Sequence, residues 1–406
     1  MPPAKRIVAT DDRAPLRRRL RRNRLAAICV VGAAVVAVAS LVFTNGCDGR
    51  KKTQAGAAGK VAAASEPSSE FASLSASSAS ASTASLAVDI GRGRFVWPTP
   101  LPVTAETPWE KIVQASASGD PSTGLFGTAR NSGGRFHEGL DIRPHSRNRR
   151  REPTDVVRAA IAGVVAHVAP TPNGAYGRYV VLSHSEEGLS FYTLYAHLSA
   201  VDSGLKAGAA VEAGDKLGVM GRSDGAGGFS KERAHLHFEM GLRISPNFGQ
   251  WYARKQKEFG APNRHGLWNG YNLYGCDPLP FVREGLRTGA TPSLLAQIRR
   301  EPTAVTVLVN SRSVPAFVLE NPALLTAPAP KNIGGWKIDF AWHGMPLSFT
   351  PLGTPPVTGR ATMEVQMTRD AALQRKARVR RVLAQKRDGG LVAGETLTNV
   401  VTLLFE

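Results

Sequence analysis

The chain has 406 residues, and its 51 Lys and Arg against 32 Asp and Glu give a formal net charge of +19. That excess would suggest a nucleic-acid partner if it were evenly spread, but residues 96–280 carry 20 basic and 17 acidic side chains, and the surplus lies at the two ends, so no nucleic acid is expected. The 42% hydrophobic content excludes a wholly disordered chain, and three Cys exclude a disulfide-stapled scaffold.

Residues 1–24 read as a basic cytoplasmic tail, with Arg17, Arg18, Arg19, Arg21, Arg22 and Arg24 clustered at its end. Residues 25–44 (LAAICVVGAAVVAVASLVFT) carry no charge and are long enough to cross a hydrocarbon core as a helix. Basic residues before such a span predict an N-terminus that stays in the cytoplasm and a remainder that is exported. The expectation is a single-pass anchor in the inner or cytoplasmic membrane, with the rest of the chain periplasmic or extracellular. A cleaved signal peptide and, through Cys47, lipoprotein processing are the alternatives. Residues 45–94 are rich in Ala and Ser and read as a disordered linker, because they cannot bury enough apolar surface to fold.

Residues 95–281 alternate short β-like runs with Gly, Asn, Asp and Pro turns, as in 156–168, 177–185, 189–198 and 233–242. This pattern predicts an antiparallel β domain, and no glycine-rich nucleotide loop precedes a helix. His235 and His237 stand two apart in Ala234-His235-Leu236-His237-Phe238-Glu239, so on a strand both imidazoles share one face. His137 and Asp141 stand four apart, also an even offset, and Gly133, Gly134 and Gly139 argue against a helical zinc motif there. His197 closes the run Leu194-Tyr195-Ala196-His197-Leu198. Glu138 and Glu239 are assigned to the opposite strand face.

Taken together, Gly134-Arg135-Phe136-His137-Glu138-Gly139-Leu140-Asp141-Ile142, then Tyr195-Ala196-His197-Leu198, then His235-Leu236-His237-Phe238-Glu239 resemble the lysostaphin-type (LytM-like) zinc metallopeptidases of peptidoglycan. Gly124-Leu125-Phe126-Gly127 with Arg130, Gly163-Val164-Val165 and Val211 to Gly218 agree with that family's order of elements. The resemblance covers roughly residues 95–245. It implies one Zn2+ per chain, held by His137, Asp141 and His237. It implies His197 and His235 as catalytic residues that do not bind metal. It implies a peptidoglycan endopeptidase acting on peptide stems, or alternatively a non-catalytic scaffold that binds the wall and regulates other wall hydrolases. The sequence departs from the family in a long stretch after Asp141 with Arg143, Arg147, Arg149, Arg150 and Arg151, which reads as a solvated loop or a basic lip on the groove.

Residues 282–406 show β-like runs at 304–310, 316–320, 336–340, 361–367 and 398–405, with a short helix at 292–300. They predict a β-sandwich-like accessory domain that binds the wall or a protein partner. The stretch 371–387 fits either a basic helix or a strand pair. The expected class is therefore mainly β: an antiparallel peptidase domain and a β-sandwich-like domain, after a transmembrane helix and a linker.

Overall fold

The computed structural model describes residues 88–89, 93–130, 135–359 and 361–406. The basic tail, the expected membrane span at 25–44 and nearly all of the linker lie outside them. Among the described residues no helix is long and apolar enough to cross a membrane.

An eight-stranded sheet forms the centre of the peptidase-like region. Its strands include β1 (Leu140–Ile142), β3 (Gly163–Asn173), β4 (Gly177–Glu186), β5 (Leu189–Leu198), β6 (Ala210–Val211), β8 (Leu236–Arg243) and β9 (Leu273–Gly275). The order is β6-β3-β4-β5-β8-β9, with β1 also on β8 and the short strand Val88–Asp89 parallel to β4. A smaller sheet joins β2 (Val156–Arg158), β7 (Lys216–Val219) and the strand Ala200–Val201. All the β-like runs expected between 156 and 243 contain strands. The β4–β5 hairpin closes through Glu187 and Gly188, both at positive φ, as a two-residue turn requires when it follows the right-handed twist of its strands.

Strand alternation sorts the side chains. Val180, Leu182, Tyr195, Leu236, Phe238 and Met240 enter the main core. Tyr179, Val181, Tyr192, Leu194 and Ala196 form a second cluster on the other face. His235, His237 and Glu239 have the parity of that second face.

His184 on β4 is fully buried, with Nδ1 2.8 Å from the Ala162 carbonyl oxygen and Nε2 2.9 Å from Thr193 Oγ1. Burial pulls its pKa down to about 4. The unfolded chain therefore binds a proton that the folded chain refuses between about pH 6.5 and 4, and stability is lost as pH falls through that window. We expect about 3 kcal/mol of acid destabilisation from this residue. Thermal melts across the window check it, and a flat profile would contradict it.

The C-terminal region departs from a sandwich. It contains one four-stranded antiparallel sheet, β12-β11-β10-β13, made of β10 (Val305–Val309), β11 (Gly335–Phe340), β12 (Pro346–Leu352) and β13 (Met363–Met367). The run at 316–320 is not a strand but a helix, Ala316–Glu320, started by Pro315, whose fixed φ suits a helix N-terminus. The run at 398–405 lies in the helix Glu395–Leu404. Its β-branched residues suggest a strand, but the buried Leu397, Val400, Val401 and Leu404 follow the helical period. The ambiguous 371–387 stretch divides into the helix Ala371–Val379 and the hairpin strand Leu383–Gln385, which pairs with Leu391–Ala393. The short helix expected at 292–300 is present as Leu294–Arg300.

Candidate metal centre

β1 and β8 build the site. They pair antiparallel with Asp141 directly opposite His237, so the two side chains meet across one ladder rung. His137 lies between the short strand Arg135–Phe136 and β1, in a bend rather than on a strand, and turns in to join them. Gly139 lets this bend approach β8: a Cβ there would lie 2.5 Å from the Phe238 carbonyl oxygen and 3.0 Å from the His237 ring.

Three ligand atoms converge. Asp141 Oδ1 is 3.0 Å from His137 Nε2 and 2.8 Å from His237 Nδ1, and the two nitrogens are 3.2 Å apart. Tetrahedral zinc with bonds of ~2.0–2.1 Å places its ligands roughly 3.3 Å apart, so the donor set and its spacing fit that ion. The other carboxylate oxygen, Oδ2, accepts from Arg130 Nη2 at 2.6 Å, which leaves Oδ1 alone facing the imidazoles.

The second ring nitrogens are fixed by partners. His137 Nδ1 lies 2.8 Å from the Leu125 carbonyl oxygen, His197 Nδ1 2.9 Å from that of Ser223, and His235 Nδ1 2.6 Å from that of Arg233. A carbonyl can only accept, so each Nδ1 carries a proton, and the Nε2 atoms of His137 and His235 are left facing Asp141 Oδ1. His237 is reversed: its Nε2 donates to Glu239 Oε1 at 2.7 Å, and Nδ1 faces the site. This imidazole–carboxylate pair orients the ring and raises its basicity.

Glu239 therefore does not face away. It stands two residues after His237, an even offset, and shares its face. Strand parity alone places it there, in contrast to the expectation of the opposite face. Its Oε2 also accepts from the Tyr192 hydroxyl at 3.3 Å and the Tyr176 hydroxyl at 3.4 Å, neither of which belongs to any motif. Glu138, at an odd offset from both His137 and Asp141, does turn away from the cluster, to Arg380. We expect Glu239→Gln to weaken zinc binding by about 10–100-fold. Chelator competition measures this, and unchanged affinity would show that the pair does not tune the ligand.

His197 and His235 complete the cluster. The His235 Nε2 lies 3.3 Å from Asp141 Oδ1, and the His197 ring centroid is 4.8 Å from that of His235 and 5.7 Å from that of His237. By alternation His197 would share the core face of Phe191 and Tyr195. A left-handed backbone, φ 64°, breaks the alternation and brings the ring into the groove. Phe229 stacks on the His235 ring at 5.0 Å.

The electrostatics favour a cation. Burial pulls His137 down despite Asp141, and burial with the neighbouring His235 and His237 holds His197 well below the usual histidine range. Burial also pulls on His237, but the hydrogen bonds to Asp141 and Glu239 outweigh it and push this imidazole up to about 9. Asp141 is pushed up by burial, yet His137 and His235 hold it well below the carboxylate range. Two carboxylates that attract a proton to this spot attract any cation there.

Residues 135–246 match the family model described as Peptidase family M23. This stretch is an M23 peptidase domain. The chain is also similar to the catalytic domain of lysostaphin from Staphylococcus simulans, at 21% identity over 39% of this chain and 89% of that one, with a TM-score of 0.26. It is similar to a putative glycyl-glycine endopeptidase LytM from Ruminococcus gnavus, at 26% identity over 37% of this chain and 54% of that one, with a TM-score of 0.26. A prophage-encoded M23 protein from Enterococcus faecalis matches at 23% identity over 32% of this chain and 79% of its catalytic-domain chain, with a TM-score of 0.23. No curated protein matches the chain.

The arginine-rich stretch after Asp141 forms a hydrogen-bonded loop at the edge of the M23 domain. The Asp155 carboxylate accepts from the backbone N–H groups of His145 and Ser146, and Arg147 Nη1 donates to the Lys231 carbonyl oxygen at 2.7 Å. Arg149, Arg150 and Arg151 are exposed on it.

Proposed function

We propose that the protein is a zinc-dependent endopeptidase that hydrolyses peptide cross-links of peptidoglycan. The observation that carries this reading is the convergence of His137, Asp141 and His237, with the His235 Nε2 3.3 Å from Asp141 Oδ1 and the His197 ring beside those of His235 and His237. Two imidazoles and one carboxylate leave a coordination position free, the mark of a catalytic rather than a structural zinc site. Zinc held there supplies Lewis acidity toward the scissile carbonyl and lowers the pKa of water. His197, kept neutral by burial, offers a lone pair that can take a proton. His235, with Nδ1–H held by a backbone carbonyl, is the second group able to hold or pass a proton and to face the developing oxyanion or leaving amine. Tyr176 stays protonated, because burial and Glu239 raise its pKa well above the usual range, so its hydroxyl remains a donor beside the site. The alternative of a non-catalytic scaffold finds no support in this cluster, whose ligand set is whole.

The charge-free stretch at 25–44 and the arginines before it support a membrane-anchored protein whose M23 domain faces the wall. Protease accessibility in spheroplasts tests this, and a shielded C-terminal half would overturn it. For the enzyme, purified protein should contain about one zinc per chain and release new amines from isolated wall. Protein that binds wall in the presence of zinc without releasing amines would refute the peptidase reading.

A further inference from the structure

A cavity of about 750 Å³ opens beside His237 and Glu239. Only part of its wall belongs to the M23 domain. Tyr252, Arg264 and Tyr271 come from the segment that follows that domain, and Arg380, Arg381 and Thr396 from the C-terminal region. Arg380, Arg381 and Thr396 stand more than 130 positions beyond the candidate metal ligands in the chain.

Arg380 fastens this wall to the catalytic strand. Its Nη1 pairs with Glu138 Oε1 at 2.5 Å, and its guanidinium lies 4.4 Å from the Phe136 ring centroid. Phe136 and Glu138 are the two chain neighbours of ligand His137. Trp342, from the C-terminal sheet region, packs at 5.8 Å on the same Phe136 and at 6.1 Å on Phe126. The hairpin that follows is held by the Thr396 hydroxyl, which donates to the Arg380 carbonyl oxygen, and by an Arg381–Glu395 pair at 3.2 Å.

The charges in the cavity do not cancel. Arg380 is matched by Glu138 and Arg381 by Glu395, and Glu239 is occupied by His237 and two tyrosine hydroxyls. Arg135 and Arg264 also line the cavity and are exposed, with no carboxylate in ion-pair contact among the described residues. A planar guanidinium is best satisfied by a carboxylate, which it binds through two parallel hydrogen bonds. Tyr271 adds an exposed aromatic ring at the cavity, backed by the buried Tyr252 and Tyr274.

We propose that this cavity is a substrate subsite completed by the C-terminal region, and that it takes a stretch of peptide bearing a free carboxylate, bound by Arg135 and Arg264. The Arg380–Glu138 pair is the strut that fixes the wall to the metal-ligand strand, and Arg380 is a positioning residue. The subsite rests on the peptidase reading, since it places the peptide next to His237.

The test uses the full-length chain carrying His197→Ala, so that bound peptide is not turned over. The probes are a wall stem peptide with a free C-terminal carboxylate and the same peptide as its C-terminal amide, titrated by calorimetry. We expect the acid to bind about tenfold more tightly than the amide. Adding Arg135→Gln and Arg264→Gln should bring the ratio close to one while the amide affinity stays put. Arg380→Ala should weaken both probes, and Arg380→Lys should restore only part of the loss, because it keeps the charge without the planar fork. A ratio of one in the parent chain, or a ratio that survives both Gln substitutions, overturns the subsite. Amine release from wall by the chain without substitutions is read in parallel. Cleavage without acid preference overturns the subsite alone, whereas acid preference without cleavage supports the subsite and overturns the peptidase reading.

Discussion

His237→Ala should remove both zinc and hydrolysis, whereas His197→Ala should keep the zinc and lose hydrolysis. The distinction follows from what each ring touches. His237 Nδ1 is one of three atoms gathered around a common point, and its loss leaves Asp141 and Glu239 as buried carboxylates facing each other across a gap. Changes in outer partners of a metal ligand already cost about 10–100-fold in affinity, so removal of the ligand itself should exceed that. His197 is not one of the three residues whose ligand atoms gather there. Its expected loss is the ~10²–10⁴-fold typical of a proton-transferring group. Metal content and amine release measured on the same preparations check the pair. If His197→Ala also strips the zinc, His197 belongs to the metal shell and not to the proton-transfer machinery.

Gly139→Ala should damage the site without changing any of its functional groups. The added methyl would meet the Phe238 carbonyl oxygen at 2.5 Å, the Glu239 Cγ at 2.9 Å and the His237 ring at 3.0 Å. Backbone on one side cannot give way, so β1 and β8 must separate, carrying His137 and Asp141 away from His237. Overpacking of this kind costs about 1–3 kcal/mol. We expect a lower melting temperature together with weaker zinc binding by chelator competition. A variant of normal melting temperature and normal zinc affinity would mean that the bend has slack not evident in its contacts.

The shared face of His235 and His237 is legible from their even spacing and their apolar neighbours, whereas the choice of His137, Asp141 and His237 as candidate metal ligands rests on the resemblance alone. Leu236 and Phe238 enter the core, which forces His235 and His237 out of it. The strands between 156 and 243 were legible from their bounding turns. Legibility fails where a neighbour distant in sequence decides the outcome. Nothing local marks Arg380 as the partner of Glu138, 242 residues away. Tyr176 reaches Glu239 only because the β3–β4 turn folds over the sheet. The last helix looks like a strand in sequence because β-branched residues dominate 398–402, while the burial that selects helix depends on a surface built by other elements. The site role of His197 is legible only by resemblance, since strand parity alone sends it to the core.

The left-handed backbone at His197 has a wider meaning. A residue with a Cβ is held there at a cost of order 1–3 kcal/mol, which the rest of the fold has to absorb. Glycine would relieve that cost and would be the choice if only stability counted. The position therefore records a compromise between durability and chemistry in one dihedral angle. Screens that select this protein for heat resistance alone would be drawn toward replacing His197, and would discard the proposed proton carrier of the groove in doing so.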